Sequence, residues 1–196
     1  MKSYLMSLAI ALCFFCLTTS ASAQSLSVEG LLDKAMSLTQ KGDKTGTAEA
    51  LTQSVTALEK EAKSSGGDLK SKLLGQVTNL QSLIPLASTG KLSSGVLGKA
   101  VNAIKMLLGA NRISSLLGKG ESGLLGNAAS ITSSLGLIKA GSSILGGSSK
   151  TQMTSLLGEA AKSVTGLNKG GVAGKVAAAA ATKQLGGIVK LVGSAL

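Results

Sequence analysis

Beyond residue 23 this chain has no aromatic residue, no Cys and no His, and that absence limits its fold more than any motif does. A core without rings or disulfides must be assembled from Leu, Val, Ile, Ala and Met, so the elements that carry them have to approach closely. The aromatic residues Tyr4, Phe14 and Phe15 and the cysteines Cys13 and Cys16 all fall in the first 23 positions.

Those positions read as a secretory leader. Lys2 supplies a positive start, residues 5–17 an apolar run, and Ala21-Ser22-Ala23 the small-residue pattern that places cleavage before Gln24. The apolar run falls short of the about 20 residues that span a bilayer, which argues against an anchor. Leu12 and Phe15 stand before the cysteines where a lipoprotein needs a small residue. Residues 122–138, the longest uncharged run after the leader, carry Asn127 and several Ser and Thr and are too polar for a second span. The expected location is therefore export to the periplasm or the extracellular space, peripheral to a membrane at most.

Apolar residues then recur at helical spacing from end to end. Val28, Leu31, Leu32, Ala35 and Leu38 mark a first helix ending near Gly42-Asp43. Leu51, Val55, Leu58 and Ala62 mark a second, with Thr47 as its expected cap. Leu69, Leu73, Val77, Leu80 and Ile84 form a third, kinked or stopped at Pro85. Ser93 or Ser94 opens a fourth with Leu97, Val101, Ile104 and Leu108, and Gly109-Ala110-Asn111 reads as its end. Leu124, Ala128, Ile131, Leu135 and Ile138 continue toward Gly146-Gly147, and Ser149 to Gln152 has capping-box spacing ahead of Met153, Leu157, Ala160 and Val164. An Ala-rich segment, 173–195, follows Gly170-Gly171. The expected fold class is all-α: an irregular antiparallel bundle of about seven helices behind the leader. Residues 24–67 form a mildly acidic hairpin, and the basic Gly/Leu/Lys-rich region 68–196 packs with it as one domain.

One short pattern repeats: an aliphatic residue, then Leu, then Gly, at Gly75, Gly98, Gly109, Gly118, Gly126, Gly146 and Gly158, and more weakly at Gly186. The spacing is irregular, so this is no solenoid. A glycine costs about 1 kcal/mol against Ala inside a helix, so placing all of them in helix interiors would consume most of a typical net stability. Gly109, Gly118 and Gly146 are the expected C-caps, and Gly170 and Gly174 fit close helix approach.

Charge divides the chain. Residues 24–68 hold five Lys and seven Asp/Glu, and residues 69–196 hold fourteen Lys/Arg against Glu121 and Glu159. The second part thus carries +12 and favours anionic partners.

The chemistry on offer is narrow. Without His and Cys the usual general base, the thiol nucleophile and the best transition-metal ligands are missing, so neither a metal nor a cofactor is expected. Paired carboxylates such as Glu29 and Asp33, or Glu59 and Glu61, read as solvated helix faces. Ser88-Thr-Gly-Lys91 and Lys44-Thr45-Gly46 resemble motifs of penicillin-binding proteins and class A β-lactamases, but their order is reversed and Ser-Asp-Asn is missing. Gly-Lys pairs are never followed by Ser or Thr, which excludes a nucleotide loop. Arg112 is the sole Arg, and without a ring to stack on bases specific nucleic-acid recognition is not expected.

Residues 32–43 followed by Ala48-Glu-Ala-Leu51 resemble a tetratricopeptide-type helix pair without that family's aromatic and Pro positions, which implies a helical hairpin. The segment from Gly95 to Gly109 resembles cationic membrane-active peptides. Lys175, Lys183 and Lys190 are spaced to share one side of the last helix, opposite Val172, Val176, Leu185 and Val189. Together with Lys99 and Lys105 they are the candidate anion- or membrane-facing residues. The function expected from all this is a non-catalytic binding protein for anionic polymers, a membrane surface or other envelope proteins. The alternative is a membrane-active protein whose amphipathic helices perturb anionic bilayers.

Overall fold

The computed structural model describes residues 27–196 apart from Gly170. The expected leader, 1–23, and its cleavage site at Ala21, Ala23 and Gln24 lie outside the described residues. Regular structure among the described residues is all helical: α1 (Val28–Gln40), α2 (Lys44–Ser64), α3 (Gly67–Thr89), α4 (Ser94–Leu117), α5 (Glu121–Leu124), α6 (Ala128–Gly141), α7 (Gly147–Gly166) and α8 (Gly171–Ala195). Short 3-10 turns at Ser142–Ile144 and Leu167–Lys169 follow α6 and α7. The count exceeds the expected seven by α5, a single turn too short to leave a periodic signal.

Helix α4 is the axis of the bundle. It packs against α1 and α3 on one side, against α6 and α8 on the other, and against α5 near its end. Its buried set, Leu97, Val101, Ala103, Ile104, Met106, Leu107, Leu108, Ala110 and Ile113, circles the helix and does not form one stripe, as expected of a helix enclosed by others. Around it, α1–α3 and α6–α8 form two flanking sets. Neighbours within each set pack on one another, and one contiguous apolar core runs from Val28 to Val192.

Local chemistry explains the boundaries and corrects several expectations. Asp43, and not Thr47, caps α2: its carboxylate accepts from the Gly46 amide at 2.9 Å. Thr47 sits buried in the first turn and donates to the Asp43 carbonyl at 2.6 Å. Ser93 caps α4, accepting from the Val96 amide. Pro85 does not end α3, which continues to Thr89 and closes on Gly90 in the left-handed region, φ 73°. Four residues of helix beyond a proline are tolerated because Pro85 lies on the exposed side, away from neighbouring helices.

The glycines are sorted by position and not by motif. Gly118 is the C-cap of α4 as expected, whereas Gly146 precedes α7 as its N-cap, so α7 starts ahead of Ser149. Gly109 is no cap at all. It is buried in mid-α4, and a Cβ there would lie 2.6 Å from the Ser134 carbonyl oxygen and 2.7 Å from Ile138 Cγ1 of α6. Gly141 of α6 reciprocates: a Cβ on it would collide with the Asn102 carbonyl and the Met106 side chain of α4. Positions 102 and 106 oppose 141 while 109 opposes 134 and 138, so α4 and α6 run in opposite directions in near-backbone contact. Gly174 is also buried, but a Cβ there would meet Leu125 only at an ordinary 3.5 Å; Gly170 lies outside the described residues.

Candidate functional site

The bundle brings the acidic hairpin and the basic helix α4 together. Lys105 Nζ lies 2.6 Å from Asp33 Oδ1 of α1. Arg112 reaches both α1 and α2: Nη2 is 2.7 Å from Glu29 Oε1, and Nε is 3.3 Å from Glu61 Oε1. A second bond from Nη2 to Glu61 Oε2, at 3.5 Å, makes the Glu61 contact two-pronged. Glu29 Oε1 is shielded from water and accepts no directed hydrogen bond, so its contact with Arg112 is one of charge alone. Part of the charge division read in the sequence is therefore an internal interface. Lys105, expected to face outward, is spent there, and Asn102 donates to Ser143 Oγ at 3.0 Å.

Beside Arg112 an open cleft of about 1600 Å³ separates the two flanking sets. Its walls are the α2–α3 turn, the last third of α4, the start of α6 and the end of α8. Serines dominate: Ser64-Ser65, Ser114-Ser115 and Ser133-Ser134 all line it, with Ser130 and Ser194. Lys60, Arg112 and Lys190 contribute cations, and Glu61 and Asp68 carboxylates. Ser64 and Ser65 both donate to the Glu61 carbonyl, and Ser134 to that of Ser130. The cleft thus offers hydroxyls together with charges of both signs.

The candidate lysines are not gathered into one site. Lys99, Lys175, Lys183 and Lys190 are all exposed, with no carboxylate within ion-pair distance among the described residues. Lys99 lines neither cavity, Lys190 rims the cleft, and Lys175 borders a notch beside Leu125 and Leu167. The expected apolar side of α8 needs correction. Its buried stripe is Gly174, Ala178, Ala181, Leu185, Ile188 and Val192, alternating steps of four and three. Val172 and Val176 instead face solvent, 79% and 65% exposed. At 100° per residue they lie within about 40° of Lys183 and Lys190 around the helix, on the lysine side and not opposite it. Small residues won the core side because α8 packs closely on α4 and α7.

The two β-lactamase-like motifs do meet in space, since the Lys44 side chain lies over Gly90. Ser88 Oγ, however, donates to the Ile84 carbonyl at 3.1 Å and is joined by hydrogen bond to neither Lys44 nor Lys91. Lys44 is better placed to offset the carbonyl end of α3. Among the described residues no three His, Cys, Asp or Glu side chains gather as a metal site would require, and no helix is long and apolar enough to cross a membrane.

Comparison with known protein families, curated proteins and solved structures finds no match.

Three features escaped the sequence reading. Arg112 as the hub between α1 and α2 had its uniqueness as the only hint. The cleft had a faint one, Ser-Ser doublets on three separate helices. The exposed valines had none, because periodicity alone counts every Val as core.

Proposed function

We propose that this protein is an exported, non-catalytic binding protein that holds anionic partners through the lysines of its second half. One observation carries the reading. Of the fourteen cations in residues 69–196, Lys105 and Arg112 are neutralised by the acidic hairpin, while the rest make no ion pair among the described residues. A surface left so unbalanced attracts polyanions and is energetically neutral toward uncharged ligands. Even with the acidic hairpin included, residues 24–196 carry +10, more than solubility requires of a small domain, for which a net charge of about 2–8 suffices. The same reading takes the chain as an antiparallel bundle forming one domain, delivered by its leader to the periplasm or beyond, where envelope and extracellular polymers are predominantly anionic.

Retention on heparin against an uncharged matrix tests this. The protein is expected to be held at low ionic strength and released at about 1 M salt, where the screening length falls to about 3 Å. Failure to bind at low salt, or binding that survives high salt, refutes it. A turnover of any substrate abolished by Ser88→Ala or Lys91→Ala would refute the non-catalytic part.

A further inference from the structure

We propose that the outward face of α8, centred on Val172, Val176 and Lys183, docks this protein on an anionic lipid bilayer while the helix stays packed on the bundle. The inference rests on the anionic-partner reading and names the partner. Val172 and Val176 are the most exposed large apolar side chains among the described residues, one turn apart on a single helix face. Ala173, Ala179 and Ala180 around them are exposed as well. A purely polymeric anion would use the lysines and gain nothing from the valines. The headgroup boundary of a bilayer uses both: ammonium groups meet lipid phosphates while short apolar side chains sit just beneath. Charge fits without exception, because no carboxylate side chain follows Glu159 and residues 160–196 present only Lys162, Lys169, Lys175, Lys183 and Lys190.

The other side of α8 determines how the protein sits. Ala178, Ala181, Leu185, Ile188 and Val192 are fully buried against the bundle. Turning that side toward lipid would strip the core, so the protein lies on the surface and leaves the bilayer intact. This separates the proposal from the alternative in which helices reopen and perturb the membrane.

Co-sedimentation with phosphatidylcholine vesicles, with and without phosphatidylglycerol, tests it alongside heparin retention. Binding is expected only to the phosphatidylglycerol vesicles, with no release of entrapped dye. Val172→Ser/Val176→Ser should weaken vesicle binding by about tenfold through lost apolar burial and leave heparin retention and thermal stability unchanged. Lys183→Ala should weaken vesicle binding by about fivefold and lower heparin retention too. If the valine variant partitions like the wild type while heparin still binds, the lipid inference falls and the electrostatic reading stands. Binding to neither heparin nor vesicles sinks both. Dye release on binding overturns the docked-helix geometry. Tighter binding to polyglutamate than to vesicles, with the same loss in the valine variant, replaces lipid by an acidic protein.

Discussion

Three glycines drawn from the same Leu-Leu-Gly motif should not respond to alanine with one sign. Gly75 and Gly158 lie in exposed helix interiors with nothing within 4 Å of a prospective Cβ. Replacing either by Ala should stabilise the protein by about 0.5–1 kcal/mol, the helix-propensity difference. At Gly109 the same gain is outweighed, because the new methyl meets a backbone carbonyl at 2.6 Å that cannot move without shifting α6. Gly109→Ala should cost about 1–3 kcal/mol, read as a shift in the urea midpoint. Equal effects at positions 75 and 109 would mean that α4 and α6 are not in near-backbone contact. Arg112 makes a second residue-scale test. Its loss leaves Glu29 and Glu61, 13% and 21% exposed, without their cation. Arg112→Ala should destabilise by about 2 kcal/mol, most of it desolvated carboxylate left unpaired, and Glu29→Gln in the same chain should restore part of that loss.

At the scale of elements, α4 has the burden of the core and α8 has the exposed surface. Leu107 is fully buried in α4, so Leu107→Ala should cost about 3 kcal/mol. Val96, half exposed in the first turn of the same helix, should change stability by less than about 0.5 kcal/mol when replaced by Ser. Comparable losses at both positions would deny α4 its enclosed place. Helix existence was legible in the sequence because apolar spacing records which residues a helix buries. The stripes Leu51-Val55-Leu58-Ala62 and Leu69-Leu73-Val77-Leu80 are buried as the spacing requires. Two features blurred the rest. In α4 burial extends around the helix, so no stripe marks its length and Gly109 reads as an end. In α8 the buried side is built from Gly174, Ala178 and Ala181, whose weak hydropathy lost to Val172 and Val176 in any sequence pattern. The candidate lysines of α8 were legible because they lie outside; Lys105 was not, because its partner Asp33 is far away in sequence.

At the scale of the whole molecule, the charge division invites a reading as two units, an acidic hairpin and a basic remainder. We infer a single unit instead. A single apolar core joins Leu51 of α2, Leu107 of α4 and Leu185 of α8, and the ion pairs of Lys105 and Arg112 tie the two charge regions across α4. The flanking sets meet through α4, which is buried by both, and the serine-lined cleft lies between them. The protein should therefore unfold in one transition, with equal calorimetric and van't Hoff enthalpies. Leu51→Ala and Leu185→Ala sit in opposite flanking sets, and each should remove about 3 kcal/mol. In a chain of this length that lowers the midpoint by about 6–12 °C. In a single cooperative unit the whole endotherm moves for either variant. In two units Leu51→Ala would move only an early shoulder and Leu185→Ala only a late one, and the helical hairpin would then be a separate domain that carries the basic region's counter-charge.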